Sequence, residues 1–413
     1  FARRDAISFD KRTTLLTINN ALWVVILWLL LGRTGRLDLA GEMLLLTGAG
    51  ILIAAGLARW VFLEAKEIAN VFLAEGLVVF TAGIVAHFSD TALTLILAVK
   101  AAIIFFGAKK TGNPVLRAAT HVLAVLVLGT ALDALYRGTI PIAPSFAAAA
   151  ALIVMGWRSK FGRPSAWTQE ETDWLVGNGL VILTVTITSG FTGTTRLMLY
   201  VAEFAGVMLF AAGSLSLLLR LAVHALAGVV VLAGAGSIIV SGIVVAGLVA
   251  VVALFWGGWW AQNQTLRKNP WLPLDVGWLS CCALFLSYCW LWEQLPRDVL
   301  WPVLMVVALG LSFLTRWHRM PPLTFLVQLY FLVGLINIFG ALVKTFRLED
   351  LAPVAWWSPL TALIVSFTLS RWWQRTRALE AADFAWAMRL ILSFAIPAIL
   401  FLHLRPQMGE SSW

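Results

Sequence analysis

The fold class this sequence predicts is all-α, a polytopic transmembrane helical bundle of about fifteen spans, and three observations predict it. The 413 residues are 61% hydrophobic and 12% charged, with a mean hydropathy of +0.89, whereas soluble domains carry about 25% charged residues. Apolar runs of about 20 residues, the length that crosses the hydrocarbon, follow one another along the whole chain. Lys and Arg fall mainly on alternate breaks between those runs, as they do where every run is a span. A water-soluble fold could not cover so much apolar surface.

Cutting the chain where charge, Pro or Gly-Asn clusters interrupt gives the elements in order. The first span, 14–32, opens after Arg12 and closes before Arg33. Spans 39–63, 68–88 and 91–107 are separated by Lys66 and by Ser89-Asp90. Spans 114–135 and 140–157 open near Pro114 and Pro141. After the loop 158–173 come 174–190, 197–219, 221–235 and 238–260. The last cut is made at Gly234-Ala235-Gly236-Ser237, because 221–260 holds no charge and is too long for one span but suits a tight helical hairpin. The chain closes with 272–292, 298–315, 321–345, 354–373 and 384–404.

Basic residues test the count. The face holding the N-terminus collects 20 of them, among them Arg3, Lys11, Lys109, Lys110, Arg158, Lys160, Arg267, Lys268 and Arg371. The opposite face collects 8, among them Arg33, Arg137, Arg196 and Arg297, while Lys100 and Arg389 lie inside spans. The N-terminus is therefore expected to be cytoplasmic and the C-terminus external. The expected organisation is a first bundle over 1–157 of about six spans, a cytoplasmic loop over 158–173 and a second bundle over 174–413 of about nine. The chain begins at Phe1 and shows no signal peptide over Phe1–Arg12, and it reads as part of a longer protein.

Several function classes recede on these grounds. An isoelectric point near 9.9 and a formal charge of +9 fit the loop bias of a membrane protein, and the basic residues form no single nucleic-acid-binding face. No connection is long enough to house a soluble active site. Gly107-Ala108-Lys109-Lys110-Thr111-Gly112-Asn113 begins like a phosphate loop, but Asn113 and Pro114 stand where Lys and Ser or Thr are needed. There is no HExxH and no GxSxG. The five His are dispersed, and Cys281, Cys282 and Cys289 share one apolar segment without metal-ligand spacing. No cofactor is called for. The expected partners are the lipid bilayer and other membrane subunits. Trp residues near span ends, such as Trp259, Trp260, Trp372 and Trp373, suit headgroup level. Ser237, Ser241, Gly242, Ala246 and Ala250 mark close helix packing.

Ionisable groups inside spans cost about 2.5 to 3.5 kcal/mol each on insertion scales, so each is a candidate site residue. Glu75 in the third span and Lys100 in the fourth lie at one level, about 10 Å deep. His121 in the fifth span and Gln328 in the thirteenth share that depth. Glu75 and Lys100 read as an internal ion pair tying two consecutive helices, or, with His121, as the lining of a polar pathway for a proton or solute. Glu203 in the eighth span is expected to face the Thr-rich seventh span (Thr184, Thr186, Thr188, Ser189), as a protonated, hydrogen-bonded carboxyl or as a cation site. Asn337 is expected to form a helix-helix hydrogen bond. Outer-face carboxylates such as Asp38, Glu42 and Asp90 leave room for a transferase acting on a lipid-linked sugar.

Residues 70–130, with Asn70-Val71-Phe72-Leu73-Ala74-Glu75-Gly76 and later Leu97-Ala98-Val99-Lys100, resemble a bacterial family of membrane proteins, domain of unknown function 2339. In that family an acid-plus-Gly phrase and a later phrase, often with an acid where Lys100 stands here, recur along arrays of Ala/Leu-rich helices. The resemblance implies a bacterial inner-membrane protein longer than this chain and brings no reaction with it. The leading expectation is a non-enzymatic, structural or accessory component of an envelope complex. A transporter or lipid flippase is second and an intramembrane transferase third. No repeated half stands out along the chain, which weighs against inverted-repeat transport.

Overall fold

The computed structural model describes residues 9–61, 66–138, 142–160, 167–211, 216–241, 244–266, 273–318, 321–346, 357–375, 390–391, 393–401 and 404. Those residues form fourteen α-helices and one 3-10 turn, with no strand among them. The helices are α1 (Phe9–Arg33), α2 (Ala40–Val61), α3 (Lys66–His87), α4 (Asp90–Thr111), α5 (Pro114–Tyr136), α6 (Ile142–Lys160) and α7 (Gln169–Gly190). They continue as α8 (Gly193–Ala211), α9 (Leu217–Ser241), α10 (Val244–Leu266), α11 (Pro273–Gln294), α12 (Arg297–His318), α13 (Pro321–Phe346) and α14 (Trp357–Arg375). Nine helices among the described residues are long and apolar enough to cross a membrane. The apolar stretches of α1, α12, α13 and α14 are shorter. Of the expected span 384–404, residues 390–391, 393–401 and 404 are described, and they are helical.

Two expected boundaries are corrected. The eighth span does not run to 219. Helix α8 ends at Ala211, and α9 begins at Leu217, where the Ser216 hydroxyl accepts the Leu219 N–H at 3.2 Å, a side-chain cap of the usual kind. The cut at Gly234–Ser237 is absent, since all four residues lie inside α9. Small residues permit close helix approach without breaking an apolar helix, and a Cβ on Gly234 would come within 2.9 Å of Leu286.

The chain divides into two compact units, Phe1–Gly190 and Phe191–Trp413. In the first, α2 packs on α3, α4 on α5 and α6 on α7, while α4 also packs on α6 and α5 on α7. The second unit repeats the scheme four helices later, with α8 on α9, α10 on α11, α8 on α10 and α9 on α11, then α12 on α13 and α14. Helices α4 to α7 thus close into a four-helix block around Leu97, Phe105, Val127, Leu152 and Ile182, and α8 to α11 form its counterpart.

The sequence carries the same period. Helix starts recur 103 residues apart, at Lys66 and Gln169, Asp90 and Gly193, Pro114 and Leu217. Glu75-Gly76-Leu77-Val78 answers Asn178-Gly179-Leu180-Val181, and Leu116-Arg117 with His121 answers Leu219-Arg220 with His224. The expectation of no repetition is therefore corrected: the chain holds a direct four-helix repeat, and the substitutions between copies hide it from inspection of halves. Glycines set the close contacts at matching places. A Cβ on Gly76 would meet Leu52 at 2.9 Å, and one on Gly179 would meet Ile153 at 2.7 Å.

Candidate functional site

Two polar clusters occupy equivalent positions in the two units. In the first, Arg117 and His121 stand one turn apart on α5, and both reach Glu171 in the first turn of α7. The Arg117 Nε to Glu171 Oε1 distance is 3.0 Å, and His121 Nε2 lies 3.4 Å from the same oxygen. The other carboxylate oxygen accepts the Thr168 N–H at 2.7 Å, while the Glu171 N–H donates to Thr168 Oγ1 at 3.3 Å. That reciprocal pair is a capping box, and it holds the carboxylate at the entrance of α7, where the helix dipole favours negative charge. Trp167 lies against the His121 ring at 5.4 Å between centroids and against Phe105 at 5.0 Å.

In the second unit Arg220 and His224 on α9 take the places of Arg117 and His121, and Asp275 in the first turn of α11 takes that of Glu171. His224 Nε2 lies 3.2 Å and Arg220 3.7 Å from Asp275. His224 Nδ1 is 2.7 Å from the Arg220 carbonyl oxygen, and the Trp278 indole N–H donates to the His224 carbonyl at 3.2 Å. Each cluster ties a helix to the helix two places on. Sequence reading weighed His121 alone and missed Arg117, Glu171, Arg220, His224 and Asp275. The signal was present as two phrases, Arg-x3-His and Trp-x3-acid-x2-Trp, the second at Trp167/Glu171/Trp174 and again at Trp271/Asp275/Trp278.

Glu75 and Lys100 do not meet. The Asn20 side-chain amide donates to Glu75 Oε2, which ties α1 to α3. Lys100 Nζ donates to Thr81 Oγ1 at 2.6 Å and to the Leu77 carbonyl at 3.3 Å, and sits 4.8 Å from the Phe80 ring centroid. The expected ion pair fails for a geometric reason. Side chains lean toward the N-terminus of their own helix, and α3 and α4 start at opposite ends. Glu75 therefore leans toward Lys66 and Lys100 toward Asp90, so their heads diverge and Lys100 finds Thr81 instead.

The remaining candidates lie on other helices. Glu203 is 6% exposed, on the interior face of α8. The Thr184, Thr186, Thr188 and Ser189 hydroxyls donate to carbonyls four residues back in α7. Gln328 is fully buried, and neither side-chain atom has a hydrogen-bond partner among the described residues. Asn337 does not bridge helices. Its amide donates to the Val333 carbonyl of its own helix at 2.7 Å, one turn back, which satisfies the donor locally. No group of three His, Cys, Asp or Glu that could hold a metal ion occurs among the described residues.

No family model matches the chain, and no curated protein matches it. A solved structure described as "Circular tandem repeat protein with novel repeat topology and enhanced subunit contact surfaces" is similar over 96% of this chain and 93% of that one, at 12% identity and a TM-score of 0.40. A likeness of that size does not establish a shared fold.

Proposed function

We propose that the protein is a non-enzymatic, multi-span array of the bacterial inner membrane, a structural or accessory component of a cell-envelope complex, with about fifteen spans, a cytoplasmic N-terminus and an external C-terminus. One observation carries the reading: the polar groups inside the helices are parcelled out. Glu75 is bonded to Asn20, Lys100 to Thr81 and Leu77, and His121 lies 3.4 Å from Glu171. A transport pathway needs such groups to line one continuous route. Groups spent separately on tying neighbouring helices suit a rigid support. The resemblance of residues 70–130 to domain of unknown function 2339 fits the same localisation.

The test is twofold. Affinity-purified protein is expected to retain a membrane-protein partner in constant stoichiometry. Reconstituted alone in liposomes, it is expected neither to scramble a fluorescent phospholipid nor to dissipate a proton or sodium gradient faster than empty liposomes do. A flux that Lys100→Met or Glu75→Gln abolishes would sink the scaffold reading and raise transport in its place.

A further inference from the structure

Within the first unit α5 has two parallel neighbours and treats them differently. Against α7 it closes: Arg117 and His121 reach Glu171, and Leu123, Val127, Leu175 and Ile182 share one core. Against α3 it stays apart. The two helices are clamped at one end, where the Asn113 amide donates to Asn70 Oδ1 at 2.8 Å and the Asn113 side-chain oxygen accepts the Val115 N–H at 2.8 Å. Beyond that clamp a groove of about 690 Å³ separates them, and Val78 and Val122 on its rims are exposed. Small side chains hold it open. Ala74, Ala82 and Ala86 belong to its α3 wall, Ala118 and Ala119 to its α5 wall. The next repeat has Val185 where Ala82 stands and Leu221 where Ala118 stands, so the alanines are a property of this copy and not a demand of the repeat.

The walls suit a hydrocarbon chain. Thr81 is the one polar residue among those that line the groove, and its hydroxyl is already spent, donating to the Leu77 carbonyl at 2.5 Å and accepting from Lys100 Nζ at 2.6 Å. A polar solute would find no free hydrogen-bonding side chain there. Both helices are long and apolar enough to cross a membrane, and a slot left empty forfeits the dispersion contacts of its lining. Charge at the clamped end selects the kind of lipid. Lys66 lies one turn before Asn70, Lys110 lies three residues before Asn113, and both are exposed. Lys109 and Arg117 stand at the same end but are engaged, by the Arg158 carbonyl and by Glu171, and Glu67 is the acid beside Lys66. The opposite ends of α3, α4 and α5 carry Asp90 and Asp133, with Arg137 paired to Asp133 at 3.0 Å. An acidic headgroup is drawn to the lysine end and not to the aspartate end.

We infer that the groove between α3 and α5 binds an acyl chain of an anionic phospholipid, whose headgroup lies at the end marked by Lys66 and Lys110. The site rests on the membrane-spanning part of the proposed function alone, and a transporter with this fold would hold it as a scaffold does.

The test places the full chain in phosphatidylcholine nanodiscs doped with phosphatidylglycerol that carries a photoreactive diazirine on one acyl chain, or with phosphatidylcholine that carries the same group. Adducts formed on illumination are mapped by peptide mass spectrometry. The phosphatidylglycerol probe is expected to label residues 74–86 and 115–126 at least about fivefold more than the phosphatidylcholine probe, the ratio that ~1 kcal/mol from one basic side chain near an anionic headgroup gives. Lys66→Gln with Lys110→Gln is expected to abolish that preference. Ala82→Val with Ala118→Leu, the side chains of the next repeat, is expected to remove most groove adducts while sparing those at Val99 and Ile103, which are exposed on α4. Equal labelling by the two probes, as ordinary boundary lipid gives, overturns the inference. So does a groove left unlabelled beside a labelled α4, as under a second copy of the chain or another protein's helix, and so does groove labelling that the alanine replacements leave intact in a folded chain. The lysine replacements, made at exposed positions, decide the matter even where the alanine replacements prevent folding. Adducts on neither α4 nor the groove overturn the membrane-spanning reading together with the site.

Discussion

The Arg117–His121–Glu171 and Arg220–His224–Asp275 clusters hold the same place in successive repeats but are built on acids of different reach. Glu171 has one methylene more. It spans to both basic side chains and still closes the capping box with Thr168. Its side chain is 20% exposed and that of Arg117 is 35% exposed. Asp275 is shorter, and its cluster lies deeper, with side chains of Asp275 and Arg220 exposed by 9% and 14%. What persists between the copies is the tie between a helix and the one two places on. The length of the acid decides whether that tie is made near water or away from it, and so how much breaking it costs.

Asp275→Ala is expected to have the largest effect, a loss of about 3 to 5 kcal/mol in denaturant unfolding in detergent micelles, because it leaves Arg220 buried without its carboxylate. Glu171→Ala is expected to cost less, about 2 kcal/mol, of which the lost cap supplies about 1 and the half-exposed ion pairs the rest. A larger loss for Glu171 than for Asp275 would break the comparison. Glu171→Gln sharpens it, since an amide oxygen still accepts the Thr168 N–H. That variant is expected to lose about 1 kcal/mol or less, and raised salt, which screens exposed pairs, is expected to shrink the difference from the parent chain. His121→Gln is expected to cost under about 1 kcal/mol. The smallest effect is a coupling. In a double-mutant cycle, Glu75→Ala and Lys100→Ala are expected to add within about 0.3 to 0.5 kcal/mol, because their heads have different partners. A coupling well above that would show that the two charges act together after all.

Helices were legible where hydropathy and charge mark their limits, so that α5 begins at Pro114 and α11 within a residue of the expected start. They were not legible where the break itself is apolar. Ser216, which precedes α9, has no charged residue within three positions on either side, and the Gly234–Ser237 run resembles a break yet lies inside a helix. Which residues would prove polar candidates was legible from the cost of burying them. Their pairings were not. Depth along a helix put Glu75 beside Lys100, but the direction of each Cα–Cβ bond separates them and hands Lys100 to Thr81, a residue that hydropathy does not distinguish. The Arg-x3-His phrases carry their meaning only beside their acids, which stand 54 and 55 residues further on (117 to 171, 220 to 275) and become visible once the period is known.

The repeat length has a bearing on how such a chain can change size. A copy holds four helices, an even number, so inserting or deleting one leaves every other helix running in the direction it did. A copy of three would invert everything downstream. Because each block relies chiefly on its own core and its nearest neighbours, duplication in steps of four conserves both helix direction and local stability. That gives evolution a ratchet by which the array lengthens, and gives the experimenter a place to splice it.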